Sequence, residues 1–290
     1  MFTQRNMSGK FVLVTGATRG IGRRFAEHVV NTGANLVLVG RSEERTARVV
    51  SRLLKMNGAG MVCGEICDLM LQSDVHDLAD RYRNRYGRLD VLVNNAGAIF
   101  KQRKITHEGY ERTWALNHNA YFALTTLLYD LLLQSAPSRI VNTASVSHRM
   151  GRIYWDDLQL RKHRYLWGWR SYAQSKLANV LFTRHLAHLS RKSQVTVNAV
   201  HPGWVRTGFS KNNDFLTRLG WFLSTPMQRS DVKGAETLVW ASLSEEAEGL
   251  TGQYFVNCKS REPANRAKHM GDAARLWEIS ESLMDLPIIS

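Results

Sequence analysis

Phe11-Val12-Leu13-Val14-Thr15-Gly16-Ala17-Thr18-Arg19-Gly20-Ile21-Gly22 is the stretch on which the fold turns. Its first five residues are apolar at both parities, as expected of a strand covered on both faces. The strand pattern runs straight into three glycines, and an amphipathic stretch near Ile21–Thr32 follows. Glycine permits a tight turn and close backbone approach to a pyrophosphate, which the free N–H groups of a helix N-terminus then receive. Glycine marks any turn, so the run alone is weak evidence. Its place between a first strand and a first helix is the context that a nucleotide-binding turn requires.

The same rhythm continues along the chain. Strand-like runs recur at Asn35–Val39, Met61–Ile66, Leu89–Val93, Arg139–Thr143, Val195–Val200 and Gln253–Val256. Helix-like stretches lie near Glu43–Met56, Leu71–Tyr86, Tyr110–Gln134, Tyr172–Ser190, Lys233–Ser242 and Asp272–Leu286. Apolar strands alternating with helices predict an α/β fold: a doubly wound, Rossmann-type parallel sheet of seven strands with helices on both faces. No linker, repeat or charge block divides residues 1–290, so one domain is expected. Two long connections, His148–Arg170 and 208–228, follow strand ends and are rich in aromatic and basic residues. Such positions border the ligand crevice of an open α/β sheet. We read the first as part of a hydrophobic substrate wall and the second as a substrate lid.

Composition narrows the class. A hydrophobic content of 44% with 8 Trp, 9 Tyr and 10 Phe excludes a disordered chain. Three cysteines are too few for a disulfide scaffold, and Cys63 and Cys67 lack a matching pair for zinc, so a cytoplasmic protein without metal is expected. The longest apolar tract, Tyr121–Leu133, is interrupted by Asp130 and is shorter than the about 20 residues of a spanning helix. Its apolar excess, with Leu177, Val180, Leu181 and Phe182, predicts a homodimer. The net charge of +14 is spread without a stripe or a nucleic-acid signature. No nucleic-acid partner is expected, and peripheral membrane contact stays open.

The second strand pattern ends at Val39-Gly40-Arg41-Ser42. An acid here accepts from the 2′-hydroxyl of NAD; its absence, with Arg19 and Arg41 at hand, predicts NADP(H). Tyr172 and Lys176 lie at i and i+4, one face of a helix, where a cation can lower the phenol pKa. Ser145 stands 27 residues before Tyr172, just beyond the fifth strand pattern.

The glycine spacing Gly16-x3-Gly20-x-Gly22 and the Tyr172/Lys176 pair resemble the classical short-chain dehydrogenase/reductase superfamily. Further motifs in that family's order are Asp68-Leu69, Asn94-Asn95-Ala96-Gly97, Asn117, and Pro202-Gly203-Trp204-Val205-Arg206-Thr207. Asp157-Leu158, Ser175-Lys176-Leu177-Ala178-Asn179 and the Gly252–Lys259 tail look like its retinol-dehydrogenase-like branch. Many animal members of that branch carry an N-terminal membrane anchor, which this chain is expected to lack.

The resemblance implies a role for each matched residue. Gly16, Thr18, Gly20, Ile21 and Gly22 would hold the cofactor pyrophosphate, with Arg19 and Arg41 at the adenosine 2′-phosphate and Asp68 and Leu69 at the adenine. Asn95, Ala96 and Gly97 would support the ribose, and Pro202, Gly203, Val205 and Thr207 the nicotinamide carboxamide. Ser145 would hold the substrate oxygen and Tyr172 would be the general acid/base. Lys176 would tune the tyrosine and bind ribose, and Asn117 would link the lysine to water. The expected substrate is a bulky, apolar alcohol, aldehyde or ketone. Two rivals remain at this stage: an NADP(H)-binding regulatory or interaction protein without turnover, and a reductase of an activated C=C bond.

Overall fold

The computed structural model describes residues 2–56, 58, 60–203, 231–284 and 286. Val205, Thr207 and the expected lid at 208–228 lie outside them. Chain order runs β1 (Phe11–Thr15), α1 (Gly20–Val30), β2 (Asn35–Gly40), α2 (Glu43–Leu53), β3 (Val62–Ile66), α3 (Gln72–Tyr86) and β4 (Val91–Asn94). There follow α4 (Arg112–Trp114), a π turn (Ala115–Asn119), α5 (Ala120–Leu127), α6 (Tyr129–Gln134), β5 (Ser138–Thr143) and α7 (Trp169–Leu189). The last elements are β6 (Val195–His201), α8 (Asp231–Leu243), β7 (Tyr254–Val256), β8 (Lys259–Ser260) and α9 (Met270–Met284).

The strands form one sheet in the order β3-β2-β1-β4-β5-β6-β7-β8. The seven expected strands are parallel, and β8 adds a short antiparallel edge. Asn257 and Cys258, both at positive φ (56° and 58°), make the two-residue turn that reverses the chain there. Side chains alternate across the sheet as the doubly apolar strands require. Val12, Val14, Leu36 and Leu38 pack with Phe25, Val29 and Trp240 on one face. Leu13, Val37 and Val39 pack with Leu78, Tyr82 and Leu124 on the other. From β1 the chain winds outward to β3, then returns to β4 on the opposite side of β1. That reversal opens a crevice at the carboxyl ends of β1 and β4, where ligands bind in this architecture.

The stretch Tyr110–Gln134 is not the single helix expected from its pattern. The π turn widens it at Ala115–Asn119, and it breaks at Leu128 (φ −107°, ψ 9°). The apolar excess that suggested a dimer is largely covered within the chain. Phe122 and Phe182 pack against Trp277 of α9 at centroid distances of 4.8 and 5.9 Å. Of Tyr121–Leu133, only Leu133 is an exposed large apolar residue. Those faces therefore give no ground for pairing. Among the described residues no helix is long and apolar enough to cross a membrane.

The long connection after β5 is closed by a buried acid. Asp157 accepts from the backbone N–H groups of Arg161 (2.6 Å), Lys162 (2.9 Å) and His163 (3.0 Å), and it meets His163 Nδ1 at 2.7 Å. Burial alone would raise its pKa; the His163 contact and the three N–H donors overcome that and hold it at about 2. The ordinary aspartate value is about 3.9, so the folded carboxyl is depressed. Its stabilisation is then complete above about pH 4 and is lost as pH falls toward about 2. Asp157→Asn should cost about 1–2 kcal/mol at pH 7 and flatten the acid limb of the stability curve. Urea unfolding midpoints from pH 7 to pH 3 check this; parallel curves for variant and native chain would overturn it.

Candidate active site

The glycine turn sits where the sheet order reverses. Gly16 has φ +67°, and a Cβ there would stand 2.7 Å from the Ala96 Cα in the loop after β4. Backbone meets backbone, so no side chain fits. Asn95 fastens the same contact: its Nδ2 donates to the Thr15 carbonyl at 2.9 Å, while the Asn95 and Ala96 N–H groups donate to Thr15 Oγ1 at 2.9 and 3.0 Å. Helix α1 begins at Gly20 with Arg19 as an N-cap that makes no side-chain cap bond, and no acid lies in its first turn. By contrast, α2 is capped by Ser42. The free N–H groups of α1 are therefore left to an anion, which fits a cofactor pyrophosphate.

At the end of β2, Gly40 is enclosed. A Cβ there would lie 2.3 Å from Thr46 Oγ1 and 2.6 Å from Thr18 Cγ2, which leaves no room for an acid at that position. The Arg41 side chain, 59% exposed, has its guanidinium 3.9 Å from Asp68 Oδ2. Arg19 is exposed at the mouth of the glycine turn, Thr18 and Ile21 are half-buried, and Leu69 is buried. Pro202 and Gly203 (φ +84°) follow β6 and are half-buried.

The π turn delivers Asn117 to the crevice. Asn117 Oδ1 accepts from the Ala98 N–H at 2.9 Å, and its Nδ2 donates to the Ala98 carbonyl and to Ser175 Oγ, both at 3.0 Å. A Cβ on Gly97 would sit 3.3 Å from Asn117 Oδ1 and 3.6 Å from Lys176 Nζ. The bare Gly97 thus keeps open a space over the lysine, again as a bound ribose requires. Lys176 Nζ donates to the Thr143 carbonyl at 2.8 Å and lies 5.7 Å from the Tyr172 ring centroid. Ser145 caps the short turn Val146–Met150, with Ser147 N–H donating to its Oγ at 3.2 Å.

Electrostatics here depart from the sequence expectation in one respect. Burial raises the Tyr172 pKa, and a hydrogen bond with Ser145 opposes the rise. Lys176 is itself buried, and desolvation brings it down to about 7. Ser145 is therefore the group that opposes the rise of the phenol, while burial pulls the lysine down. Trp169, in the connection expected to form a substrate wall, meets the Tyr172 ring edge-on at 6.1 Å. One further group escaped the sequence reading. Glu111, fully buried, caps α4 and accepts from Tyr165 Oη at 2.7 Å and from Ser171 Oγ, bracing the start of α7. A buried carboxylate gives no period or motif, so no sequence signal marks it. Among the described residues no group of three or more His, Cys, Asp or Glu could hold a metal ion.

A doubly wound sheet with an uncapped glycine turn at its switch point and a Ser/Tyr/Lys cluster beside it defines a nicotinamide-type oxidoreductase scaffold. Residues 10–157 and 161–215 match the short chain dehydrogenase family, and the chain belongs to that family. It is retinol-dehydrogenase-like: it is 35% identical to retinol dehydrogenase 12 of Mus musculus, over 98% of this chain and 89% of that one. It is 36% identical to retinol dehydrogenase 11 of Homo sapiens, over 97% and 88%. Among solved structures, a protein from Mycobacterium Paratuberculosis superposes with a TM-score of 0.80 at 28% identity, covering 98% of this chain and 97% of that one. Pseudomonas aeruginosa RhlG in an NADP active-site complex superposes at 0.71 with 25% identity, covering 88% and 97%.

Proposed function

We propose that the chain is an NADP(H)-dependent alcohol dehydrogenase or carbonyl reductase acting on a bulky, apolar substrate. The observation that carries this reading is the hydrogen-bonded Ser145–Tyr172 pair beside the buried Lys176. The glycine turn from Gly16 to Gly22 would hold the pyrophosphate. Arg19 and Arg41 would hold the 2′-phosphate, Asp68 and Leu69 the adenine end, and Asn95, Ala96 and Gly97 the ribose side. Pro202 and Gly203 would contact the nicotinamide end with Val205 and Thr207. When bound, the cofactor supplies or accepts hydride.

In the reducing direction Ser145 hydrogen-bonds the carbonyl oxygen, and that bond strengthens as charge develops. Tyr172 donates its proton to the same oxygen as general acid. Lys176, with a pKa brought to about 7, exchanges a proton readily at neutral pH and re-protonates the phenolate. Asn117 holds the path from Lys176 toward water. A screen of NADPH oxidation with aliphatic, aromatic and retinoid aldehydes and ketones tests the reading. Turnover of large carbonyls with release of the alcohol is expected. Absence of oxidation with every carbonyl would leave the fold as a cofactor-binding module.

Trp169 would help select the substrate. Its indole is 42% exposed and stands beside the reacting phenol. It follows a turn in which Leu166 and Trp167 both take positive φ (49° and 50°), a costly conformation for these residues. Gly168 closes the turn, and a Cβ there would lie 2.3 Å from the Phe100 carbonyl oxygen. Trp169→Ala should raise KM about tenfold for bulky carbonyls, roughly the value of half-burying a ring, and leave small ones unchanged. An equal effect on both sizes would remove Trp169 from the substrate wall.

A further inference from the structure

His148 is a fully buried histidine, and the chemistry above does not use it. It lies in the turn Val146–Met150 that Ser145 caps. The Ala264 N–H donates to its Nε2 at 3.0 Å, and its Nδ1 meets the Ser145 carbonyl oxygen at 2.6 Å. A backbone N–H can only donate, so Nε2 must present its lone pair. The proton of the neutral ring then sits on Nδ1 and is donated to the Ser145 carbonyl. Each ring nitrogen is used once, and the tautomer is fixed by the partners. The Ser145 carbonyl also accepts the backbone N–H of His148 at 3.1 Å, so its peptide is held from two directions.

The contact is one of several between the same two segments. Arg149 Nη2 donates to the Glu262 carbonyl at 2.7 Å, and Arg266 Nη1 donates to the Gly151 carbonyl at 3.0 Å. Tyr254 of β7 packs edge-on against the His148 ring at 4.8 Å. On its other side the turn presses against α7. A Cβ on Gly151 would lie 2.4 Å from the carbonyl oxygen of Ala173, the residue after Tyr172. The turn is thus clamped between the catalytic helix and the segment that follows β8, and His148 reaches through it to the serine peptide.

We propose that His148 is a positioning residue through which the 262–268 segment sets the placement of Ser145 against Tyr172. This rests on the roles given to Ser145 and Tyr172 under the proposed function. A small displacement of a hydrogen-bonding group at a reacting centre is enough to lose catalysis without losing binding. Ala264 has φ −59° and ψ 150°, a backbone that proline adopts, so Ala264→Pro deletes one N–H outside the site and little else. Two ring replacements divide the function: His148→Asn keeps a donor near Nδ1, and His148→Gln keeps an acceptor near Nε2.

For Ala264→Pro, kcat should fall about tenfold, with NADPH affinity unchanged and the apparent pKa of the kcat–pH profile moved upward, because the phenol loses support from Ser145. His148→Asn, which like Ala264→Pro loses only the Ala264 contact, should behave alike, and His148→Gln, which loses the bond to the Ser145 carbonyl, should fall at least as far. A purely structural role would lower the thermal midpoint without moving the pH profile. Wild-type kcat and pH profile in Ala264→Pro would overturn the coupling. So would a ¹⁵N spectrum of the native protein showing the proton on Nε2, a reading independent of activity. Ser145→Ala, run alongside, separates the two levels. If it keeps full activity, the serine's role and the coupling fall together; if it is impaired while Ala264→Pro is not, only the coupling falls.

Discussion

Tyr172→Phe should lower kcat by about 10²–10⁴-fold while NADPH binding stays within about twofold of the native value. The substitution removes one hydroxyl. The ring keeps its edge contact with Trp169 and its place on α7. What disappears is the proton donor and the partner of the Ser145 hydroxyl. Ser145 stays in place because its turn is held by Ser147 N–H and by the His148 contact with its carbonyl. A residual rate is expected, since hydrogen bonding from Ser145 and correct orientation survive. Steady-state rates on a carbonyl that the native chain reduces, with cofactor binding followed by fluorescence, check both halves. Retention of more than about a tenth of native kcat would show that another group is the acid.

The pH dependence of the native chain adds a second readout. Burial brings Lys176 to about 7, so the fraction of charged lysine changes across neutral pH. If re-protonation of the phenolate passes through this group, the rate of the reductive direction declines as pH rises through that region. Lys176→Met should abolish the limb, whereas a change of the Tyr172 partner alone should only displace it.

Much of this was legible in the residues. All seven parallel strands fall where apolar runs bounded by Gly, Asn and Asp placed them, because a strand covered on both faces must be apolar at both parities. Motif order sufficed to put Gly16, Asn95, Asn117, Ser145, Tyr172 and Lys176 around one crevice, since the strand ends gather there. What was not legible depends on depth. The π turn at Ala115–Asn119 is hidden because Leu116–Leu124 is buried almost all round and carries no amphipathic phase in which a slip would show. Strand β8 has two residues, too short for any alternation. The lysine was expected as the cation that lowers the phenol pKa. Its burial, which no spacing reveals, lowers its own pKa to about 7, and the hydrogen bond that opposes the rise of the phenol comes from Ser145. His148 and Glu111 read as ordinary polar residues until packing closes over them.

Arg41→Asp should reverse the choice of cofactor. If Arg41 and Arg19 read the 2′-phosphate, NADPH should bind the native chain more tightly than NADH. The enclosure of Gly40 by Thr46 and Thr18 matters here: position 40 cannot carry the acid that an NAD site needs, so position 41 is the nearest place for one. An aspartate at 41 would repel the phosphate and accept from a 2′-hydroxyl instead. It would also stand near Asp68, whose carboxylate now lies 3.9 Å from the Arg41 guanidinium, and two carboxylates there strengthen the repulsion. The combined swing between the two cofactors should be about 2–4 kcal/mol, or roughly 30- to 10³-fold in relative Kd. Arg41→Ala isolates the lost attraction and should give about half of it. Because Arg41 is 59% exposed, the native preference should also shrink as salt is raised, unlike a contact sealed from solvent. Titration of both cofactors against the native chain decides the matter before any variant is made: equal affinity for NADH and NADPH would remove Arg41 as the reader of the phosphate.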